Sequence, residues 1–145
     1  MSDENARRFI GTWKLISAVR EEHPSGQKVD QFGPGAIGFL NYGADGRMLA
    51  LLVRGDRKRP SGFPVSDEEA AGLFRGLVSY GGRYEVKGDE VFHYVDISAN
   101  EIWTGSEQQR FFQFDGDRLR LSTPVNPDPI DGKISVRSML WEKVK

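Results

Sequence analysis

Cysteine is absent from the 145 residues, and histidine occurs only twice, at His23 and His93. The first absence removes disulfides, thiolate nucleophiles, zinc ribbons and iron–sulfur ligation. The second leaves no H-x-H or H-E-x-x-H pattern, and the Asn126–Asp131 segment lacks the ligand spacing of a calcium loop, so no metal is expected. Neither charge sign is in excess: 20 Lys+Arg against 21 Asp+Glu give a net charge of −1. Without an overall positive field to hold a phosphate backbone, nucleic acid is not an expected partner. No apolar run approaches 18 residues, and the first ten residues place acids ahead of Arg7-Arg8 with no apolar stretch. The chain is therefore expected to be soluble and cytoplasmic, with no membrane partner. G-x-S-x-G, phosphate-cradling and dinucleotide-binding motifs are missing too, and no cofactor is expected.

What the chain does contain is turns: 17 glycines and seven prolines in a length that suits one domain spanning 1–145. Between them runs period-2 alternation, the pattern of half-buried strands. Eight runs are predicted: Thr12–Arg20, Ile37–Tyr42, Arg47–Val53, Arg83–Lys87, Glu90–Ser98, Glu107–Asp115, Arg118–Thr123 and Ser135–Val144. Gly43-Ala-Asp-Gly46, Gly88-Asp89 and Gly116-Asp117 form three short hairpin connections. On the first run, alternation puts Trp13, Leu15, Ser17 and Val19 on one face.

One segment departs from this rhythm. Ser66-Asp-Glu-Glu69 is a capping box, and Leu73, Phe74, Leu77 and Val78 follow at helical spacing, predicting a helix of about three turns between the third and fourth strands. Arg54–Pro64 before it reads as an exposed loop, and its Arg-Gly-Asp tripeptide as chance. An all-β, eight-stranded antiparallel up-and-down barrel removes every sheet edge, and a two-sheet sandwich would show the same alternation.

Gly11-Thr-Trp13 at the start of the first strand is a G-x-W. It is followed in order by Phe32-Gly33, Gly38-Phe-Leu-Asn-Tyr42, Asp45-Gly-Arg-Met48, Tyr80-Gly-Gly-Arg-Tyr84, His93, Trp103-Thr-Gly105, Arg110, Phe114-Asp-Gly-Asp-Arg-Leu119, Thr123-Pro124 and Leu140-Trp-Glu142. This series, from Gly11 to Val144, resembles the bacterial and fungal standalone lipocalin-like proteins. The resemblance implies a calycin-type barrel with a helix inserted between strands, Gly11 and Trp13 as its structural motif, and a central cavity for a small apolar or amphipathic molecule. It implies no assigned reaction.

Alternation also assigns faces. Val91, His93, Val95 and Ile97 share an inward side on the fifth strand; Phe112 and Phe114 bring Arg110 and Gln108 inward on the sixth; Tyr84 and Val86 point in on the fourth, and Leu119, Leu121 and Thr123 on the seventh. His93, Arg110, Gln108 and Tyr84 would then meet in one cavity, with Tyr42, Trp103 and Phe112 as walls. Trp103 serves either as a rim or as a plug. Arg110 has two readings, a fork of donors for a ligand's anionic or carbonyl head, or a cation stacked on Trp13 or Trp141 at a closed end. Three functions remain open: binding of a small molecule; cofactor-free isomerase, cyclase or hydro-lyase chemistry on His93, with Tyr84 as proton donor and Arg110 as anion stabiliser; or an interaction protein with a filled core. An exposed sheet face is compatible with a homodimer.

Overall fold

The computed structural model describes residues 3–128 and 131–145, with the side chain of Asp3 left aside. Pro129 and Ile130 of the Asn126–Asp131 segment, and Met1-Ser2 of the leading stretch, thus lie outside the described residues. Among those described, the elements are α1 (Asp3–Phe9), β1 (Gly11–Glu22), β2 (Lys28–Asp30), β3 (Ile37–Tyr42), β4 (Arg47–Val53), α2 (Asp67–Arg75), β5 (Leu77–Lys87), β6 (Glu90–Ser98), a 3-10 turn (Glu101–Trp103), β7 (Glu107–Asp115), β8 (Arg118–Ser122), β9 (Asn126–Pro127) and β10 (Ile134–Lys143).

Neighbouring strands pair in the order β1-β3-β4-β5-β6-β7-β8-β10, and β10 pairs back onto β1, so eight antiparallel strands close into a barrel. Closure settles barrel against sandwich, because every long strand finds a partner on both sides. The short β2 and β9 extend the sheet beside β1 and β10 at one end only. Tight turns set the registers. At the β3–β4 hairpin, Gly46 takes a positive φ of 85° and the Gly43 amide donates to the Arg47 carbonyl at 2.7 Å.

Two bulges correct the face assignments. Pairing of β1 with β10 shifts between Leu15 and Ser17, so Trp13, Leu15 and Ala18 are buried whereas Ser17 is exposed. Opposite the Gly81/Gly82 step the register skips Asp96, which turns Ile97 outward to 63 % exposure while Val91, His93 and Val95 remain inside. An inserted residue inverts alternation beyond it. A Cβ at Gly82 would fall 1.9 Å from the Tyr94 carbonyl oxygen, so only glycine lets β5 and β6 approach at this point.

The inserted helix is present where the capping box placed it. Ser66 Oγ accepts from the Glu69 amide at 3.2 Å, and Glu69 Oε1 accepts from the Ser66 amide at 3.2 Å. It is shorter than predicted. The chain leaves the helix at Gly76, whose carbonyl accepts from the Arg54 amide at 2.9 Å, and Leu77 and Val78 begin β5 opposite Val53 and Leu52. Ladder hydrogen bonds to β4 outcompete the helical spacing, and α2 buries none of its residues.

The sequence reading offered no sign of α1, yet it sets the polarity of the barrel. Phe9 is fully buried and meets Tyr42, Phe112 and Phe114 edge-on, with ring centroids 5.0, 4.9 and 5.0 Å away. Trp13 Nε1 donates to the Phe9 carbonyl at 2.8 Å, tying the helix to the G-x-W strand. Lys143 Nζ lies 4.8 Å from the Trp13 ring centroid and donates to the Ile10 carbonyl at 2.6 Å, and the Arg8 guanidinium covers Phe114 at 4.2 Å. This end of the barrel is closed.

Candidate functional site

Towards the other end the barrel holds a cavity of about 80 Å³. Leu40, Ala50, Leu52, Val78, Leu121 and Met139 supply its apolar wall. Polar groups reach it from several strands: Tyr80 from β5, His93 from β6, Gln108 and Arg110 from β7, Arg137 and Trp141 from β10, and Thr123, Asp128 and Gln31 from the connections.

His93 is at the centre of this polar set and only 2 % exposed. Its Nε2 lies 2.6 Å from Tyr42 Oη and its Nδ1 2.7 Å from Tyr80 Oη. Burial, reinforced by the Arg110 charge, pulls the imidazole pKa down to about 3, so the ring is neutral at ordinary pH. Desolvation pushes both partner phenols above their ordinary range, Tyr42 strongly. The Tyr–His–Tyr chain is therefore uncharged throughout.

Positive charge comes from two arginines. Arg110 has one hydrogen bond among the described residues, from Nη1 to the neighbouring Gln109 carbonyl at 2.8 Å, and no ion pair. Arg137, 7 % exposed, donates to Ser135 Oγ at 2.9 Å and to the Asn126 carbonyl and side chain. Burial holds the Arg137 pKa below its ordinary value, opposed by Asp128 and aided by Arg110 and Arg20. Asp128, itself buried, accepts from Arg20 Nη1 at 3.2 Å, and Arg20 also holds Asp131 at 2.7 Å and Glu22 at 2.9 Å. The acids near the mouth are thus engaged by Arg20, whereas Arg110 faces the cavity with its charge unpaired.

Of the residues singled out from sequence, His93, Arg110, Gln108 and Trp103 line this cavity. Trp103 is half-buried on the 3-10 turn, edge-on to Tyr80 at 5.9 Å, which makes it part of the rim. The other three are corrected. Tyr84 donates from Oη to the Gly43 carbonyl at 2.7 Å and packs on Tyr42 at 4.8 Å, at the closed end and off the cavity. Phe112 packs on Phe9 and Phe114 in the same layer. Tyr42 reaches the site only through its hydroxyl on His93. Alternation gave Tyr84 and Phe112 the right face but says nothing about depth along the barrel axis. Stacking of Arg110 on Trp13 is likewise replaced: Lys143 covers Trp13.

Tyr80 and Arg137 were missed. Tyr80 directly follows Leu77-Val78-Ser79, where helical spacing hid the start of β5. Arg137 was readable, since Ser135, Arg137, Met139 and Trp141 share one face with a buried tryptophan. Among the described residues, no group of three or more His, Asp or Glu side chains could hold a metal. No described helix is long and apolar enough to cross a membrane.

The chain is 38 % identical over 88 residues, covering 54 % of this chain and 78 % of the relative, to a protein of Aspergillus oryzae named 4'-hydroxy-3'-methoxypropiophenone carrier protein. Among solved structures it is similar to a lipocalin-like protein from Bacteroides uniformis, at 16 % identity and a TM-score of 0.48 over 94 % of this chain and 99 % of that one. An uncharacterized protein from Bacteroides eggerthii is similar at 16 % identity and a TM-score of 0.45, with the same coverage. Residues 10–144 match the lipocalin-like domain, and the chain belongs to that family.

Proposed function

We propose that this protein binds and carries a small, partly apolar molecule in the open-end cavity. The apolar body packs on Leu40, Leu52, Val78 and Leu121, and an oxygen-bearing head faces Arg110, with Gln108 and the His93 pair beside it. The observation that carries this reading is Arg110, which lines this largely apolar hollow with no ion pair among the described residues and offers a fork of donors to an acceptor brought by a ligand. A relative named as a carrier of an aryl ketone supports the same ligand class, an apolar ring with a carbonyl.

Size sets a condition on binding. About 80 Å³ is less than the roughly 150 Å³ that accommodates a benzene ring, so a ring-sized ligand must displace part of the wall. Trp103 on its three-residue turn and the flexible thioether of Met139 are the side chains best able to yield. Catalysis by His93 is less well supported, because both ring nitrogens are engaged by phenols and an imidazole with a pKa of about 3 is a weak base.

Native mass spectrometry of the protein purified from its own host tests the proposal. The expected result is a one-to-one adduct of a small oxygen-containing molecule, weakened by Arg110→Gln. No adduct, together with no response to millimolar acetophenone, would count against it.

A further inference from the structure

The Tyr–His–Tyr chain contains a choice of protons, and the surroundings of its two ends decide it. A neutral imidazole has one N–H and one bare nitrogen, so one of the two phenols must donate to the ring and the other must accept from it. Tyr42 is fully buried, and among the described residues its hydroxyl has a single hydrogen-bond partner, His93 Nε2. If Nε2 carried the proton, the Tyr42 O–H would have no acceptor in a dry layer of aromatic rings. Orphaning a buried donor is the costlier alternative. Tyr42 therefore donates to a bare Nε2, and the ring proton resides on Nδ1, donating to Tyr80 Oη. Tyr80 is then left with its own hydroxyl proton uncommitted, and Tyr80, unlike Tyr42, lines the cavity.

We propose that His93 is a positioning residue whose Nδ1–H tautomer, set by Tyr42, turns the Tyr80 hydroxyl proton into the cavity and selects ligands that present a hydrogen-bond acceptor there. This deepens the small-molecule reading and rests on it for the ligand, naming the class as ketones, aldehydes, esters or carboxylates rather than groups that only donate. A second observation points the same way. Trp141 lines the same cavity, and its indole Nε1 is buried with no hydrogen-bond partner among the described residues. Its strand β10 lies on the far side of the ring of eight from β5. With Arg110 on β7, residues that carry donors thus border the hollow on opposite walls.

The first test is made on the ligand-free protein. Ring nitrogen shifts of His93 in a 15N-labelled sample at pH 7 are expected to show Nδ1 protonated and Nε2 bare. An Nε2-protonated ring would overturn the proposal. The second test compares acetophenone with ethylbenzene, which keeps the ring and the two-carbon chain but lacks the acceptor oxygen. The wild type is expected to prefer acetophenone at least five-fold, and Tyr80→Phe, which keeps the ring, to reduce that preference at least three-fold with ethylbenzene binding little changed. An unchanged preference in Tyr80→Phe would overturn the selection. Should neither probe bind, small-molecule binding fails as a reading, while the tautomer result still decides whether the Tyr80 proton faces the cavity.

Discussion

At the closed end of the barrel, Phe9, Phe112 and Phe114 interlock edge to face with Trp13 tilted against Phe114, and the nearby cations Arg8 and Lys143 are spent on covering aromatic rings. At the other end β6, β7 and β10 bring His93, Arg110, Arg137 and Trp141 to a cavity, and among the described residues Arg110 has no ion pair and the Trp141 N–H no hydrogen-bond partner. One end is built to be filled by the chain itself, the other to be completed from outside. Stability and binding are therefore separable along the barrel axis, and substitutions at the two ends should behave differently.

The largest effect is expected at the plug. Phe9→Ala removes a fully buried ring and should cost about 3–5 kcal/mol in denaturant unfolding. If it costs under about 1 kcal/mol, α1 is not a plug and the contrast fails. Next in size is the pair of tyrosines on His93. Tyr42→Phe leaves a buried ring nitrogen without its donor and should cost about 1–3 kcal/mol. Tyr80→Phe should cost less, because the cavity lets water substitute. Equal losses in the same unfolding experiment would remove the asymmetry on which the tautomer argument stands.

Acid dependence sharpens the comparison further. The folded imidazole pKa of about 3 lies below its ordinary value of 6.5, so the unfolded chain binds a proton that the folded chain refuses. Stability from His93 is thus full above pH 6.5 and is lost as pH falls towards 3, with a slope of at most about 1.4 kcal/mol per pH unit. Chemical denaturation of wild type and His93→Gln between pH 6.5 and 5 should show that component only in the wild type. The smallest effect is expected outside the barrel. Ser66→Ala breaks the capping box, but α2 buries nothing, so the loss should stay under about 1 kcal/mol and leave ligand preference unchanged.

Much of this organisation was legible in the residues. Period-2 runs between Gly-containing turns located all eight barrel strands, because a half-buried strand must alternate. The Ser66–Glu69 spacing located the inserted helix. His93, Arg110 and Gln108 were assigned inward from apolar company two or four residues away on the same strand. Ile97 and Ser17 were misassigned because a bulge depends on pairing with a neighbouring strand, which a single run does not encode. Helix α1 was silent since seven residues with one buried aromatic carry no periodicity; it is held by tertiary contacts, the bond from Trp13 and the packing of Phe9 on Tyr42, Phe112 and Phe114. Face was readable for Tyr84 and Phe112, but their depth, like that of Tyr42, follows from strand tilt and stagger, properties of the closed sheet as a whole.

The division between a self-filled end and a receiving end is tested most directly by mapping amide and aromatic resonances during titration with acetophenone. The account predicts saturable shifts concentrated at Leu52, Tyr80, Trp103 and Arg110, with Phe9, Trp13 and Phe114 unmoved. Shifts centred on the closed end or the outer sheet face, or none at millimolar ligand, would contradict it.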